Sequence, residues 1–254
     1  FRKLLKNNDY IITDKNIPEF KKLKNIAQKK NFRKKYINFL EKKYDLRKFK
    51  LIGDFQKKNL LMAIRACEII GLNKKKISNS LDKLKAVKGR LELVKEFSDK
   101  TKVFIDFAHT PEAISTAINS LKSYFEKDVT IILGCGGERD KNKRGKIGKI
   151  VNKLCNKILV TDDNPRNENP ALIRKSIIKE IEKEKVVEIG SRKDAINWAV
   201  KNSNAHEILL IAGKGHENIQ DYGKKKYKIS DFKIVRDIKT KKYKSKRYTN
   251  ILQN

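Results

Sequence analysis

The sequence is short of the residues that staple or metallate small domains. Its three cysteines, Cys67, Cys135 and Cys155, are an odd set without a CxxC pair, which excludes a disulfide framework and a thiolate zinc site. Cys67 and Cys155 lie in apolar, helix-like stretches that predict buried thiols. Cys135 lies in a glycine loop that predicts an accessible one. All three fit a reducing compartment, and a cytoplasmic location is the expectation. No apolar run approaches the ~18 residues of a membrane helix, and the start carries no signal peptide, so membrane insertion is not expected. The chain begins with Phe1 rather than Met, inside a basic segment, and a piece of a longer protein is the expectation. A GxGxxG fingerprint and a GxxxxGK loop followed by Ser or Thr are both missing from the 254 residues, which removes the usual dinucleotide and P-loop signatures.

Acidic residues are also scarce: 30 Asp and Glu stand against 62 Lys and Arg, a net charge of +32. A field of that sign favours acidic, phosphorylated ligands. A nucleic-acid partner is nevertheless not expected, because zinc spacing and RNA-binding aromatic signatures are absent. The lysines are spread through every helix and loop, together with abundant Ile and Asn. Codon bias in an AT-rich genome would spread them over solvated faces in this way.

What is present becomes regular after about residue 88. Residues 1–50 are Lys-rich, weakly periodic and carry no placeable chemistry. Asn59–Gly71 predicts an amphipathic helix stopped by Gly71, and a second helix is expected near Lys75–Leu84, before a boundary at Val87–Arg90. Val103–Phe107, Val129–Leu133, Ile158–Val160, Val186–Ile189 and Glu207–Ala212 predict strands. Helices between them are expected from Thr110-Pro111, around Ile147–Cys155, from Asn169-Pro170 to about Glu182, and from Ser191. Asp231–Lys239 predicts a terminal helix, with fraying after it. This alternation predicts an α/β fold with a doubly wound, mostly parallel sheet.

The residues able to do chemistry gather where those strands end, the place where open α/β sheets bind ligands. Asp163 and Arg166 present opposite charges three residues apart, and Pro165 stiffens the turn between them. That suits a small zwitterion better than a phosphate. Arg139, in the loop Gly134–Asp140, has the fork geometry to grip a carboxylate, or pairs with Asp140 or Glu138 as an ordinary surface residue. His109 stands ahead of a helix start that favours anions, and Asp106 offers an acceptor for a ribose hydroxyl. Gly213 and Gly215 allow backbone to approach a ligand closely, and Glu217 offers a place for an ammonium group. Singly, each is ambiguous.

Taken in order, Gly89-Arg90-Leu91-Glu92, DFAHTP at 106–111, GCGGERDK at 134–141, TDDNPR at 161–166 and AGKGHE at 212–217 closely resemble the Mur ligase family. The best match is to its members that add meso-2,6-diaminopimelate to UDP-N-acetylmuramoyl-L-alanyl-D-glutamate. The resemblance is clearest from Gly53 to Ile234 and covers the later half of such an enzyme. It implies that residues 1–88 are the end of an α/β ATPase domain and that residues 89–254 are the Rossmann-like, amino-acid-binding C-terminal domain. It further implies ATP and Mg2+ as cofactors, an acyl phosphate, amide-bond formation in peptidoglycan precursor synthesis, and a monomer.

By the same resemblance, Arg139, Asp163, Asn164, Pro165, Arg166, Gly213 and Glu217 bind diaminopimelate, while Asn59, Arg90, Asp106 and His109 face ATP. Asn59 closes a segment that the family writes GxFNxxN, with Gln56 in place of its first Asn. The family's P-loop, carbamylated lysine and most Mg2+ ligands have no match here. The chain is therefore expected to be the acceptor-binding half of a ligase, inactive alone. A lysine-adding sibling and a non-catalytic amino-acid-binding module are the alternatives.

Overall fold

A run of three to five apolar residues, closed by Gly, Asp or Thr, recurs from Val103 onward, and each such run lies in a strand. The computed structural model describes residues 10–29, 32–36, 44–46, 49 and 51–239. The chain divides into two units, Phe1–Lys85 and Ala86–Asn254.

In the first unit Tyr10–Thr13 (β1) pairs in parallel with Arg33–Tyr36 (β2), and Phe20–Lys29 (α1) connects them. Ile11, Ala27 and Phe32 form the small core beneath this crossover. Asp54–Ile69 (α2) stops before Gly71 as expected, but it begins five residues ahead of Asn59. Asp54 in the first turn suits the positive helix end, and the Gly53 carbonyl accepts from Gln56 and Lys57 N–H. The next expected helix is interrupted. Lys74–Ser78 (α3), capped by the Asn73 side chain, gives way at Asn79-Ser80 to a single 3-10 turn at Leu81–Lys83. Leu60, Ile64, Ile77 and Leu81 close over Tyr44 and Phe49.

The second unit is built on a six-stranded sheet. Its strands are Glu92–Glu96 (β3), Lys102–Asp106 (β4), Val129–Leu133 (β5), Lys157–Val160 (β6), Val186–Glu188 (β7) and Ile208–Ala212 (β8), in the order β3-β4-β8-β5-β6-β7. All neighbours are parallel except β3 against β4. The helices are Pro111–Phe125 (α4), Asn142–Leu154 (α5), Pro170–Ile178 (α6), Arg192–Lys201 (α7) and Asp231–Asp237 (α8). Thr110, Asn169 and Ser191 cap α4, α6 and α7 with their side chains, as their sequence positions predict. A short antiparallel hairpin, Ile219–Asp221 (β9) with Lys226–Lys228 (β10), follows β8. Residues 240–254, expected to fray, lie outside the described residues.

The strands of the centre are buried on both sides, which is why they read as nearly continuous apolar runs. Each Ile, Leu or Val removed from water there contributes roughly 1.5–3 kcal/mol. On one face α4, α5 and α6 pack side by side. On the other, Ala195, Ile196, Ala199 and Val200 of α7 and Phe232 and Val235 of α8 cover Val103, Ile105, Leu209 and Ile211. The chain therefore leaves β4, β5 and β6 toward one face and leaves β8 toward the other. The register pairs Asp106 with Ala212, and Val160 with both Leu133 and Glu188. The carboxyl ends thus share one edge, and the connection leaving β8 parts there from those of its neighbours β4 and β5, the kind of switch at which open α/β sheets bind ligands.

Candidate functional site at the carboxyl edge of the sheet

The turn after β6 is joined to the glycine loop after β5 by one backbone and one side-chain hydrogen bond. Gly137 N–H donates to the Asn164 carbonyl (2.9 Å), and the Arg166 Nη1 donates to the Gly137 carbonyl (2.6 Å). A Cβ at Gly137 would collide with the Pro165 carbonyl, so the two loops meet only because that position is glycine. Arg166 has φ of +53°, uncommon for a residue that carries a Cβ, and its own N–H is held by the Asp221 carbonyl of β9. Its Nε and Nη2 have no partner among the described residues. That edge of a guanidinium is the one that grips a carboxylate with two parallel N–H donors. The Arg139 side chain passes the other side of Gly136: a Cβ there would lie 3.0 Å from Arg166 Nη1 and 3.8 Å from Arg139 Cγ. Arg139 is exposed and makes no ion pair with Asp140 or Glu138 among the described residues.

Asp163 is partly buried between this turn and the end of β8. A Cβ at Gly213, whose φ is +111°, would lie 2.9 Å from Asp163 Oδ2. The Asp163 carboxylate has no hydrogen-bond partner among the described residues, and burial pushes its carboxyl up, with Arg192 and Lys214 opposing that push. It is an acceptor waiting for a donor.

Asn164 and Glu217, read from sequence as further ammonium acceptors, are both tied to Lys214. The Lys214 ammonium, 1% exposed, donates to Asn164 Oδ1 (2.9 Å), Glu217 Oε2 (3.0 Å) and the Ile219 carbonyl (2.6 Å). Asn164 Oδ1 also accepts from Asp221 N–H (3.0 Å), so both its lone pairs are used inside the protein. Its Nδ2 donates to Glu217 Oε2 (3.0 Å). Asn164 is therefore a brace for the turn rather than a free acceptor. Burial raises the Glu217 carboxyl, but the donors Lys214 and Asn164 outweigh it and hold the group below the usual range. Lys214 is the residue that sequence reasoning left unassigned. Its only signal was a lysine flanked by two glycines.

A second group of candidates lies at the ends of β4 and β8. Phe107 is its centre: the Arg90 guanidinium stands 4.8 Å from the ring centroid, the His109 ring 5.0 Å and the His216 ring 5.6 Å. The His109 Nδ1–H donates to the Phe107 carbonyl (2.9 Å), leaving Nε2 facing outward on the residue before the α4 cap. Asp106 has a structural duty. Its Oδ2 accepts from Leu91 N–H (2.6 Å) and its Oδ1 from Ala108 N–H (2.7 Å), and burial raises its carboxyl despite these bonds. It fixes the turn that carries Arg90 beside Phe107. Asn59 is exposed on α2 of the first unit.

Cys135 corrects the sequence reading. It is 4% exposed, beneath the loop rather than on it, and burial pushes its thiol up to about 12. Such a thiol is inert as a nucleophile. Two further charged sites were not visible in the sequence. Arg174 bridges Asp162 and Glu188, with Tyr222 Oη donating to Asp162 Oδ2 (2.7 Å). Arg192 and Asp231 form a fully buried pair.

Comparisons with known proteins bear on the family and the fold. A family model described as Mur ligase, glutamate ligase domain, matches residues 89–215. The UDP-N-acetylmuramoyl-L-alanyl-D-glutamate--2,6-diaminopimelate ligase of Rickettsia conorii is 45% identical over 188 residues, 73% of this chain and 38% of the relative. That of Rickettsia felis is 43% identical over 198 residues, 77% of this chain and 37% of the relative. The chain thus spans well under half the length of these curated relatives. Among solved structures, an enzyme of the same name superposes with a TM-score of 0.61 at 24% identity, covering 90% of this chain and 52% of that one. The folylpolyglutamate synthase of Mycobacterium tuberculosis superposes with a TM-score of 0.65 at 17% identity, covering 80% of this chain and 52% of that one. Both likenesses concern the fold. On the family match and the ordered motifs that the sheet brings to one edge, the chain belongs to the Mur ligase family.

Proposed function

We propose that this chain is the acceptor-binding part of an ATP-dependent ligase that joins meso-2,6-diaminopimelate to UDP-N-acetylmuramoyl-L-alanyl-D-glutamate. In the reaction, ATP converts the glutamate carboxylate into an acyl phosphate and leaves as ADP. The amine of the incoming amino acid attacks the acyl carbon, an amide forms, and inorganic phosphate departs. Diaminopimelate has an amino acid centre at each end, so the end that does not react offers one ammonium and one carboxylate. The observation that carries the reading is the pairing of two unsatisfied groups on one turn: the desolvated Asp163 carboxylate and the open Nε/Nη2 edge of Arg166. Asp163 takes the distal ammonium, Arg166 with Arg139 takes the distal carboxylate, and Gly213 leaves room beside Asp163. Pro165 and Asn164 fix the turn, and Glu217 joins through Lys214.

Lysine lacks the distal carboxylate, so it forgoes the charged hydrogen bonds that the partly buried Arg166 offers, a loss of about 1.5–3 kcal/mol. That difference supports diaminopimelate over lysine. For ATP, the exposed Arg90 guanidinium, stacked on Phe107 close to the start of α4, fits a polyphosphate, with His109 beside it. Among the described residues no three His, Cys, Asp or Glu side chains form a group able to hold a metal ion, and Mg2+ is given no residue here. Titration calorimetry with diaminopimelate, lysine and ATP tests the assignment. Arg166→Ala is expected to weaken diaminopimelate at least about tenfold and ATP little; equal losses, or equal affinity of the native chain for lysine, would overturn it.

A further inference from the structure

The buried Arg192–Asp231 pair has no part in the reading so far, although it lies directly beneath the site. Arg192 Nε donates to Asp231 Oδ1 (2.9 Å) and Nη2 to Asp231 Oδ2 (2.7 Å), and both side chains are fully buried. The same Nη2 donates to the Ala212 carbonyl (3.0 Å), the last residue of β8 before Gly213. Nη1 is buried with no hydrogen-bond partner among the described residues. Local physics does not explain this arginine. It is the first residue of α7, where a positive charge opposes the helix dipole, and a buried ion pair is weak evidence for stability. Arg192 also borders, together with Arg166, a cleft of about 780 Å³.

We propose that Arg192 is the positioning residue of the diaminopimelate site: anchored by Asp231, it fixes the Ala212–Gly213 strand end against Asp163 and supplies the buried positive charge that lets Asp163 receive an ammonium group. The inference rests on the assignment of Asp163 to that ammonium. The groups facing Asp163 are Arg192 of α7, Lys214 and Glu217 beyond β8, Asp231 of α8, and the Cys135 thiol beyond β5. Burial pushes the Asp163 carboxyl up; among the charges Arg192 opposes this most and Lys214 next, whereas Glu217 and Asp231 add to it. Removing Arg192 therefore leaves Lys214 alone against burial and Glu217, and against Asp231 as well where that acid remains.

The test follows the Asp163 Cγ titration by carbon-13 NMR in the full ligand-free chain, with diaminopimelate affinity measured by calorimetry beside it. In Arg192→Met/Asp231→Leu the pair leaves together, a replacement that buried pairs often tolerate. The expected result is an Asp163 titration moved up and, at pH values below it, a loss of diaminopimelate affinity that follows the loss of the ionised form, about tenfold for each pH unit of rise. Asp231→Asn keeps the arginine and removes the opposing acid, so the Asp163 titration is expected to move down. A merely structural arginine would not move the titration in opposite directions in the two variants. A folded double variant with an unmoved Asp163 titration overturns the proposal, and so does a rise in Asp231→Asn. Should the double variant fail to fold, the direction in Asp231→Asn decides. Absence of diaminopimelate binding by the native chain would overturn the ligand assignment, while the titrations still judge whether Arg192 governs Asp163.

Discussion

Asp163 makes the sharpest prediction at the scale of a single residue. It is desolvated and without a hydrogen-bond partner among the described residues, and its carboxyl is raised above the ordinary aspartate value of about 3.9. A raised carboxyl costs the folded state free energy at neutral pH, and that cost disappears as pH falls through the raised value. Ligand binding has the opposite sign, because an ammonium is held by the carboxylate and not by the acid. Diaminopimelate affinity is therefore expected to be full near neutral pH and to fall with acidification, starting above about pH 4. Asp163→Asn should leave the ligand-free protein at least as stable in urea while weakening diaminopimelate by about tenfold or more, a lost charged hydrogen bond being worth about 1.5–3 kcal/mol. The variant should also lose the acidic limb of the pH profile. Calorimetry across pH measures both; an unchanged limb would remove Asp163 from the ammonium site. The sequence disclosed this residue because its turn carries Asp and Arg at a fixed offset. It did not disclose Lys214 or Arg192, since their partners Asn164 and Asp231 lie 50 and 39 residues away and no local period records such pairings.

At the scale of elements, what the sequence made plain was whatever is buried on both faces. β4, β5, β6 and β8 are mostly apolar, and Thr110, Asn169 and Ser191 cap α4, α6 and α7. Elements on the rim escaped. β3 reads ELVKE at an antiparallel edge, and β9 and β10 read IQD and KYK; strands of three polar residues have no pattern to detect. The missed hairpin is nonetheless the clamp of the site. Ile219 accepts from Lys214, Asp221 N–H donates to Asn164, the Asp221 carbonyl accepts from Arg166 N–H, and Gln220 Nε2 donates to the Asp162 carbonyl. Asp221→Pro deletes one of these donors and stiffens the strand. It is expected to lower stability by about 1 kcal/mol and diaminopimelate affinity severalfold, with the far-ultraviolet dichroism of the sheet retained. Native affinity in that variant would show that the turn stands without its hairpin.

At the scale of the whole molecule the open question is the charge of +32, which a nucleic-acid binder and a basic ligase piece would share. Their responses to salt differ. The Debye length falls from about 10 Å at 0.1 M salt to about 3 Å at 1 M, so attraction between exposed charges is largely erased while partly buried pairs are spared. Diaminopimelate is a zwitterion with no net charge at neutral pH, and its assigned partners are Asp163 and the Arg166 edge at the bottom of a turn. A polyanion meets instead the general field of exposed lysines and the exposed Arg90 and His109. Raising salt from 0.05 to 0.5 M is therefore expected to weaken a polyanion such as ATP or duplex DNA by about tenfold or more, and diaminopimelate by less than about threefold. Calorimetry at both ionic strengths makes the comparison on one preparation. Salt-sensitive DNA binding without any diaminopimelate affinity would give the charge a function of its own, whereas salt-insensitive diaminopimelate binding would place selectivity in one braced turn and leave the lysines to the solvated surface.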